Sequence, residues 1–324
     1  VKAITARAFP NIAFIKYWGN RVPELRIPIN ASLSMNLAGL FTDTTVEWTP
    51  SLRADQVEIN GQAATPQAAQ RVSTHLDQVR NRYEVEGFAR VSSHNNFPMG
   101  AGIASSASSF AALSLAATTA AGLELPEREL SSLARLGSGS ASRSIPPGFV
   151  EWYAGDDHES SFATSFAPAN HWDLVDVVAV VSQSHKVTGS TEGHQSADTS
   201  DLQSARVQGA AERVQRCREA ILNRDFVSFA EVVEHDSNLM HAVMMTSRPP
   251  LFYWLPASLT IMQKVRDWRS DGLQVCYTLD AGPNVHCICT GPVAEEVASA
   301  LREIDGVLAV RVAPAGGGAH ILAS

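Results

Sequence analysis

The stretch Pro98-Met99-Gly100-Ala101-Gly102-Ile103-Ala104-Ser105-Ser106-Ala107 has the residue types most directly suited to chemistry. Its small residues let backbone N–H groups approach a phosphate. The Ala-rich run that follows would place a helix N-terminus, with free donors and partial positive charge, against the same anion. Gly100, Gly102, Ser105 and Ser106 are therefore candidate phosphate-binding residues. The spacing is neither a Walker A sequence nor a Rossmann fingerprint, and a plain glycine turn before a helix explains the same residues.

A second cluster, Gly137-Ser138-Gly139-Ser140-Ala141-Ser142-Arg143-Ser144, sets hydroxyl donors around one guanidinium. Ser138, Ser140 and Arg143 suit a carboxylate or phosphate, although a solvated Ser/Gly loop would read the same way. Asp280 closes a β-like run ahead of Ala281-Gly282-Pro283-Asn284. A strand-end carboxylate there can act as a base or orient a nucleophile, and an Asx turn is the alternative. Lys16 follows the apolar Ile12-Ala13-Phe14-Ile15, where packing of its stem against aromatics is the simpler explanation. His241, on a helical pattern after Asp236-Ser237-Asn238, suits a local hydrogen bond better than a metal.

Recognisable elements must position these residues. Thr44 to Trp48 is β-rich, and Gln56 to Gly61 ends in an Asn-Gly hairpin signal. Thr65 and Pro66 open a helix whose apolar positions are Val72, Leu76, Val79 and Tyr83. The run from Ser105 to Leu123 lacks a polar face, as a helix buried on all sides requires, and a second helix starts near Pro126. Val175 to Val181 reads as an interior strand closing the first lobe. Helical patterns over 201–223, 225–245, 256–269 and 292–304 then alternate with strand-like Val275–Leu279, Val285–Cys289 and Val307–Val312. The fold class is α+β. Gly316-Gly317-Gly318 marks a tight or ligand-facing turn.

At 324 residues the chain exceeds one comfortable core, given roughly 100–200 residues per domain, so two lobes are expected. A net charge of -8 argues against nucleic acid or an anionic membrane as partner, and any anionic ligand needs a locally positive site. Cys217, Cys276, Cys287 and Cys289 lack metal-ligand spacing and read as buried free thiols, the last two on one strand face. The N-terminal residues carry no targeting pattern and no run suits a membrane span, so a cytoplasmic location is expected.

Taken in order, Pro10-Asn11-Ile12-Ala13, Ile15-Lys16-Tyr17-Trp18-Gly19, Pro28 to Ser34, Asn95 to Pro98, Ser138 to Ser144, Gly148 to Trp152, Thr188 to Thr191, Asp236-Ser237-Asn238 and Asp280 to Asn284 carry a resemblance. The sequence resembles the diphosphomevalonate decarboxylase branch of the galactokinase, homoserine kinase, mevalonate kinase and phosphomevalonate kinase superfamily, almost from end to end. The resemblance implies a two-lobe α+β small-molecule-kinase fold with a central cleft. Residues 1–182 would form the lobe with the nucleotide phosphate loop, and 183–324 a ferredoxin-like lobe. It also implies ATP and Mg²⁺, a small-molecule substrate and, as a family-level expectation, a homodimer; no metal ligand is assigned.

By the same resemblance Asp280 is the catalytic aspartate that orients or deprotonates the C3 hydroxyl, with Lys16 beside it. Tyr17, Asn20, Ser138, Ser140, Arg143 and Gln195 fall at substrate-binding positions, and Gly100, Gly102, Ser105 and Ser106 at the ATP phosphates. The sequence departs from its family at three points. Asn20 stands where diphosphate-using members usually have lysine, His194-Gln195 where an arginine often stands beside a methionine, and Met99-Gly100 replaces Thr-Ala. Two cations that would meet a diphosphate are missing from these positions. That favours mevalonate 5-phosphate, giving isopentenyl phosphate, with mevalonate 5-diphosphate, giving isopentenyl diphosphate, as the alternative. A catalytically idle homologue is a third reading, disfavoured by the retention of Asp280, Lys16 and Arg143.

Overall fold

A computed structural model describes residues 2–97, 105–183 and 189–323. The chain begins with β1 (Ile4–Ala8), β2 (Asn11–Ile15), the short β3 (Asn20–Val22) and β4 (Ile27–Pro28), then β5 (Ser32–Asn36), β6 (Thr42–Thr49), β7 (Gln56–Ile59) and β8 (Gln62–Ala63). There follow α1 (Pro66–Tyr83), β9 (Phe88–Asn95), α2 (Ser105–Ala120), α3 (Glu127–Gly137), β10 (Phe149–Trp152), β11 (Ala163–Ala167) and β12 (Leu174–Val180). The remainder holds α4 (Ser190–Ser196), α5 (Gln203–Gln208), α6 (Ala210–Asn223), α7 (Phe226–Thr246), α8 (Pro256–Ser270), β13 (Val275–Thr278), β14 (Val285–Thr290), α9 (Ala294–Arg302), β15 (Ala309–Pro314) and β16 (His320–Ile321).

Local sequence explains these boundaries. Thr65 accepts the Ala68 N–H and Pro66 takes the first helical position, so α1 starts where the cap demands. Asn60 and Gly61, with φ of 52° and 76°, make the tight turn between β7 and β8. α2 is buried along nearly its whole length, and its Ala117 carbonyl accepts the indole N–H of Trp48 at 2.9 Å. The expected 201–223 helix divides at Gly209, which caps the end of α5 and the start of α6, and a Cβ there would lie 2.6 Å from the Arg213 guanidinium. That guanidinium reaches inward to Asp236.

Three larger sheets organise the described residues, with β3 and β4 forming a separate two-stranded hairpin. The first, in order β16-β1-β6-β9-β7-β8, packs one face on α1, α2 and α3 around Trp48, Leu76, Phe110 and Leu133. The second, β11-β10-β5-β2, and the third, β13-β14-β12-β15, enclose α6 and α7 between them around Phe14, Phe149, Val178 and Phe229. The far face of the third sheet carries α8 and α9, and Cys287 and Cys289 point together into that layer. All four cysteines are free and buried.

The expected lobe boundary after 182 does not match the sheets. β12 pairs with β14 and β15, so it is a central strand of the third sheet and not the last strand of the first lobe. Its apolar, β-branched run is the signature of any interior strand and carries no information about which sheet it joins. The chain end also crosses back, with β16 pairing to β1. Among the described residues no helix is long and apolar enough to cross a membrane.

Candidate active site

Lys16 leaves the end of β2 and Asp280 the end of β13, strands in different sheets. The Lys16 Nζ donates to Asp280 Oδ1 at 2.8 Å. The lysine side chain is 1% exposed and the carboxylate 27%, so the pair is a buried cation under a carboxylate that opens to solvent. Helix α7 holds both ends of this pair. Asp236 accepts the Lys16 backbone N–H at 2.6 Å, and Ser237 Oγ accepts the Leu279 N–H at 3.0 Å. One turn on, His241 makes backbone hydrogen bonds at Leu279 and Asp280, contacts that reach across the fold. Desolvation, reinforced by Lys16, pushes the His241 pKa down to about 3, so the ring is neutral.

The Ser138–Ser144 segment is a 3-10 turn following α3, tied down by polar groups of the second sheet. Asn11, on β2, donates to the Ser140 carbonyl at 3.0 Å and to Ser144 Oγ at 2.8 Å, while its Oδ1 accepts Arg143 Nε at 3.1 Å. Ser32, on β5, accepts Arg143 Nη1 at 2.7 Å. Arg143 is thus 3% exposed with neutral partners, and burial lowers its pKa to about 10 while Asp280 acts to raise it. Ser138 Oγ lies 3.1 Å from Ser106 Oγ and 3.3 Å from Ser140 Oγ, so the serines of α2 and of the turn meet. The absence of a side chain at Gly139 matters, since a Cβ there would come within 2.5 Å of the Tyr17 ring.

Tyr17 forms the next wall. Its hydroxyl donates to Asn20 Oδ1 at 2.5 Å, and burial raises its pKa to about 12 against the opposing charges of Arg26, Arg143 and Arg135. His194, on α4, stacks on the Tyr17 ring at 4.1 Å and takes the Gly19 N–H on Nδ1 at 2.9 Å. Desolvation, with Arg26 next, lowers its pKa to about 3. Gln195 instead points to solvent, because successive helical residues face different directions.

The structure therefore brings Lys16, Asp280, Tyr17, Asn20, Arg143, Ser138, Ser140 and Ser106 around one cleft, with Ser105 at the start of α2. Gln195 does not join them, and Gly100 and Gly102 lie outside the described residues. Sequence reasoning missed Asn11, Ser32 and Asp236, and noted His194 only beside Gln195 as a departure from the family. For the first three the available signal was polar residues inside strand or helix runs too buried to leave them unpartnered.

This α+β architecture is that of the small-molecule-kinase superfamily, and here it pairs a strand-end lysine with a strand-end aspartate from a different sheet. Two family models match: the diphosphomevalonate decarboxylase-like N-terminal domain over residues 8–163, and the mevalonate 5-diphosphate decarboxylase C-terminal domain over 176–308. The diphosphomevalonate decarboxylase mvd1 of Aspergillus fumigatus is 39% identical, covering 93% of this chain and 80% of the relative. The human diphosphomevalonate decarboxylase is 38% identical, covering 87% and 75%. The crystal structure of mevalonate diphosphate decarboxylase from Staphylococcus aureus superposes with a TM-score of 0.94 at 35% identity, covering 99% and 98% of the two chains. A structure described as MDDEF in complex with MVAPP, AMPPCP and magnesium gives 0.93 at 35% identity, covering 99% of each.

The chain belongs to the diphosphomevalonate decarboxylase family and is an ATP-dependent carboxy-lyase. These relatives are named for the diphosphate, so the comparisons do not support the expected preference for the 5-monophosphate.

Proposed function

We propose that the enzyme converts mevalonate 5-diphosphate and ATP into isopentenyl diphosphate, ADP, phosphate and carbon dioxide. The observation that carries the chemistry is the Lys16–Asp280 pair, a carboxylate held beside a buried ammonium and facing Arg143 across the cleft. Asp280 accepts the proton of the C3 hydroxyl as that oxygen attacks phosphorus, and the hydrogen bond from Lys16 keeps the carboxylate aimed. Arg143, already fixed by Asn11 and Ser32, binds the substrate carboxylate; Ser138 and Ser140 donate to the 5-phosphate chain. A tertiary hydroxyl leaves poorly, whereas its phosphate ester departs with the C3–O electrons. The C1–C2 bond then breaks, carbon dioxide leaves, and that electron pair becomes the C2=C3 double bond. Positioning and charge stabilisation supply most of the rate.

The residues present fit a nucleotide. A 240 Å³ cavity lies between the first sheet and α1, lined by Thr44, Val57, Val72 and Asn95, and reaches Ser105 and Ser106 at the α2 N-terminus. An adenine in the apolar part would place its phosphates toward the α2 N-terminus, by Ser105 and Ser106, while Gly100 and Gly102 lie outside the described residues. When bound, ATP would supply the phosphoryl group and Mg²⁺ would neutralise its oxygens.

A second reading, mevalonate 5-phosphate giving isopentenyl phosphate, rests on one specific observation. The Tyr17 hydroxyl is taken up by Asn20, and His194 is neutral and accepts the Gly19 N–H, so none of these three side chains itself brings a cation to the substrate. Fewer cations suit the smaller charge of a monophosphate. Offering mevalonate, its 5-phosphate and its 5-diphosphate separately with ATP and Mg²⁺ decides between the two. Greater kcat/KM for the diphosphate supports the first reading, greater kcat/KM for the monophosphate the second, and ADP without carbon dioxide from every substrate contradicts both.

A further inference from the structure

The hairpin between Tyr17 and the serine turn carries an arginine that no motif singled out. Arg26 stands at its bend, just before β4, with φ of 50°. A side-chain-bearing residue in the left-handed region is uncommon and costs backbone energy, so the position is worth explaining. The Arg26 side chain is half-buried, and its Nε donates to the Leu136 carbonyl at 3.0 Å, two residues before Ser138. Among the described residues Arg26 forms no ion pair with a carboxylate. The same hairpin starts with Asn20, the partner of the Tyr17 hydroxyl.

The guanidinium is thus tethered beside the Ser138–Ser140 turn and across from Tyr17. Its charge acts on Tyr17 and on His194, and on Arg71 and His75 of α1 as well. Tyr17 feels Arg143 and Arg135 as well, with no carboxylate among its influences. In a chain of net charge -8, this corner is a local concentration of guanidinium groups. Concentrated positive charge beside hydroxyl donors is the chemistry of a phosphate site.

We propose that Arg26 is a substrate-binding residue that engages the 5-phosphate chain, supplying the cationic contact that Asn20 and His194 do not. The inference rests on the proposed function, since it takes a 5-phosphorylated mevalonate as the ligand. The Nε bond to Leu136 holds the side chain while the planar terminal amino groups meet phosphate oxygens beside Ser138 and Ser140. Arg26 binds substrate and takes no part in the proton transfer at Asp280.

Arg26→Gln isolates the charge. Glutamine carries its Nε2 at the same bond distance from the backbone as arginine carries Nε, so the donor to Leu136 is kept and the guanidinium is lost. KM for the preferred phosphorylated substrate should rise about ten- to a hundredfold, with kcat changed by less than a few-fold and the unfolding temperature of the free protein unchanged. Arg26→Lys, which keeps the charge, should raise KM less. The stabilisation of the folded protein by the phosphorylated substrate alone should shrink in Arg26→Gln, while any effect of unphosphorylated mevalonate should not. An unchanged KM in Arg26→Gln, or an equal rise in the glutamine and lysine variants, would overturn the assignment. So would a lowered unfolding temperature with KM preserved. An unmodified enzyme inactive on both phosphorylated substrates would instead overturn the proposed function, which keeps the two failures distinct.

Discussion

Removing charge from one side of the Lys16–Asp280 pair should have unequal consequences for stability, although either change impairs catalysis. Asp280→Asn leaves the Lys16 ammonium, 1% exposed, without the carboxylate 2.8 Å away. Breaking a fully buried pair costs about 3–5 kcal/mol, and the solvent access of Asp280 puts this case near the lower end, about 3 kcal/mol. At roughly 2 °C per kcal/mol for a large domain, the unfolding temperature should drop about 6 °C. Lys16→Met takes the ammonium away from Asp280, whose 27% exposure lets water solvate the carboxylate, so that variant should lose less. The double variant should recover part of the Asp280→Asn loss. Loss of a positioned base costs about 10²–10⁴ in rate, so kcat for Asp280→Asn should fall at least about a hundredfold with KM within a few-fold. Coupled ADP release and thermal unfolding on the same preparations measure both effects. Turnover within a few-fold of the unmodified enzyme, or greater destabilisation by Lys16→Met than by Asp280→Asn, would refute the reasoning.

Three further outcomes are expected. Asn20→Lys adds a cation beside Tyr17 and should shift the diphosphate-to-monophosphate kcat/KM ratio about tenfold or more toward the diphosphate, whereas Gln195→Arg, at an exposed position, should leave it unchanged; steady-state kinetics on both substrates test this. His241→Asn can keep a polar group against the Leu279–Asp280 backbone, so it should retain more kcat and thermal stability than His241→Gln, which steady-state kinetics and thermal unfolding check. His75, His194 and His241 are held neutral at pKa about 4, 3 and 3, below the unfolded value of about 6.5, so the unfolded state takes up their protons first as pH falls. Stability should therefore decline below about pH 6.5, by up to about 4 kcal/mol per pH unit for the three together, and a denaturation midpoint flat from there to about pH 4.5 would contradict it.

Local signals fixed most elements because local physics decides them. Thr65-Pro66 had to begin a helix, Asn60-Gly61 had to turn, and the faceless run from Ser105 had to be buried. The partner of β12 was not legible, since sheet membership is settled by contacts with Val285–Thr290 and Ala309–Pro314, more than a hundred residues away. The site divides in the same way. Lys16, Arg143 and Asp280 stood out by residue type and strand-end or loop placement, and the structure brings them to one cleft. Asn11, Ser32 and Asp236 look like ordinary polar residues until the groups they hold arrive from distant elements. His194 and Gln195 could be told apart only by the rotation of α4, which points one at Tyr17 and the other at water.

The most direct test of the central claim is the stoichiometry of ADP and carbon dioxide released from 5-phosphorylated mevalonate by the unmodified enzyme and by Asp280→Asn. One carbon dioxide should appear for each ADP in the unmodified enzyme, with both products falling together at least about a hundredfold in the variant. Carbon dioxide release without ADP, ADP release without carbon dioxide, or undiminished release of both by Asp280→Asn would contradict the account.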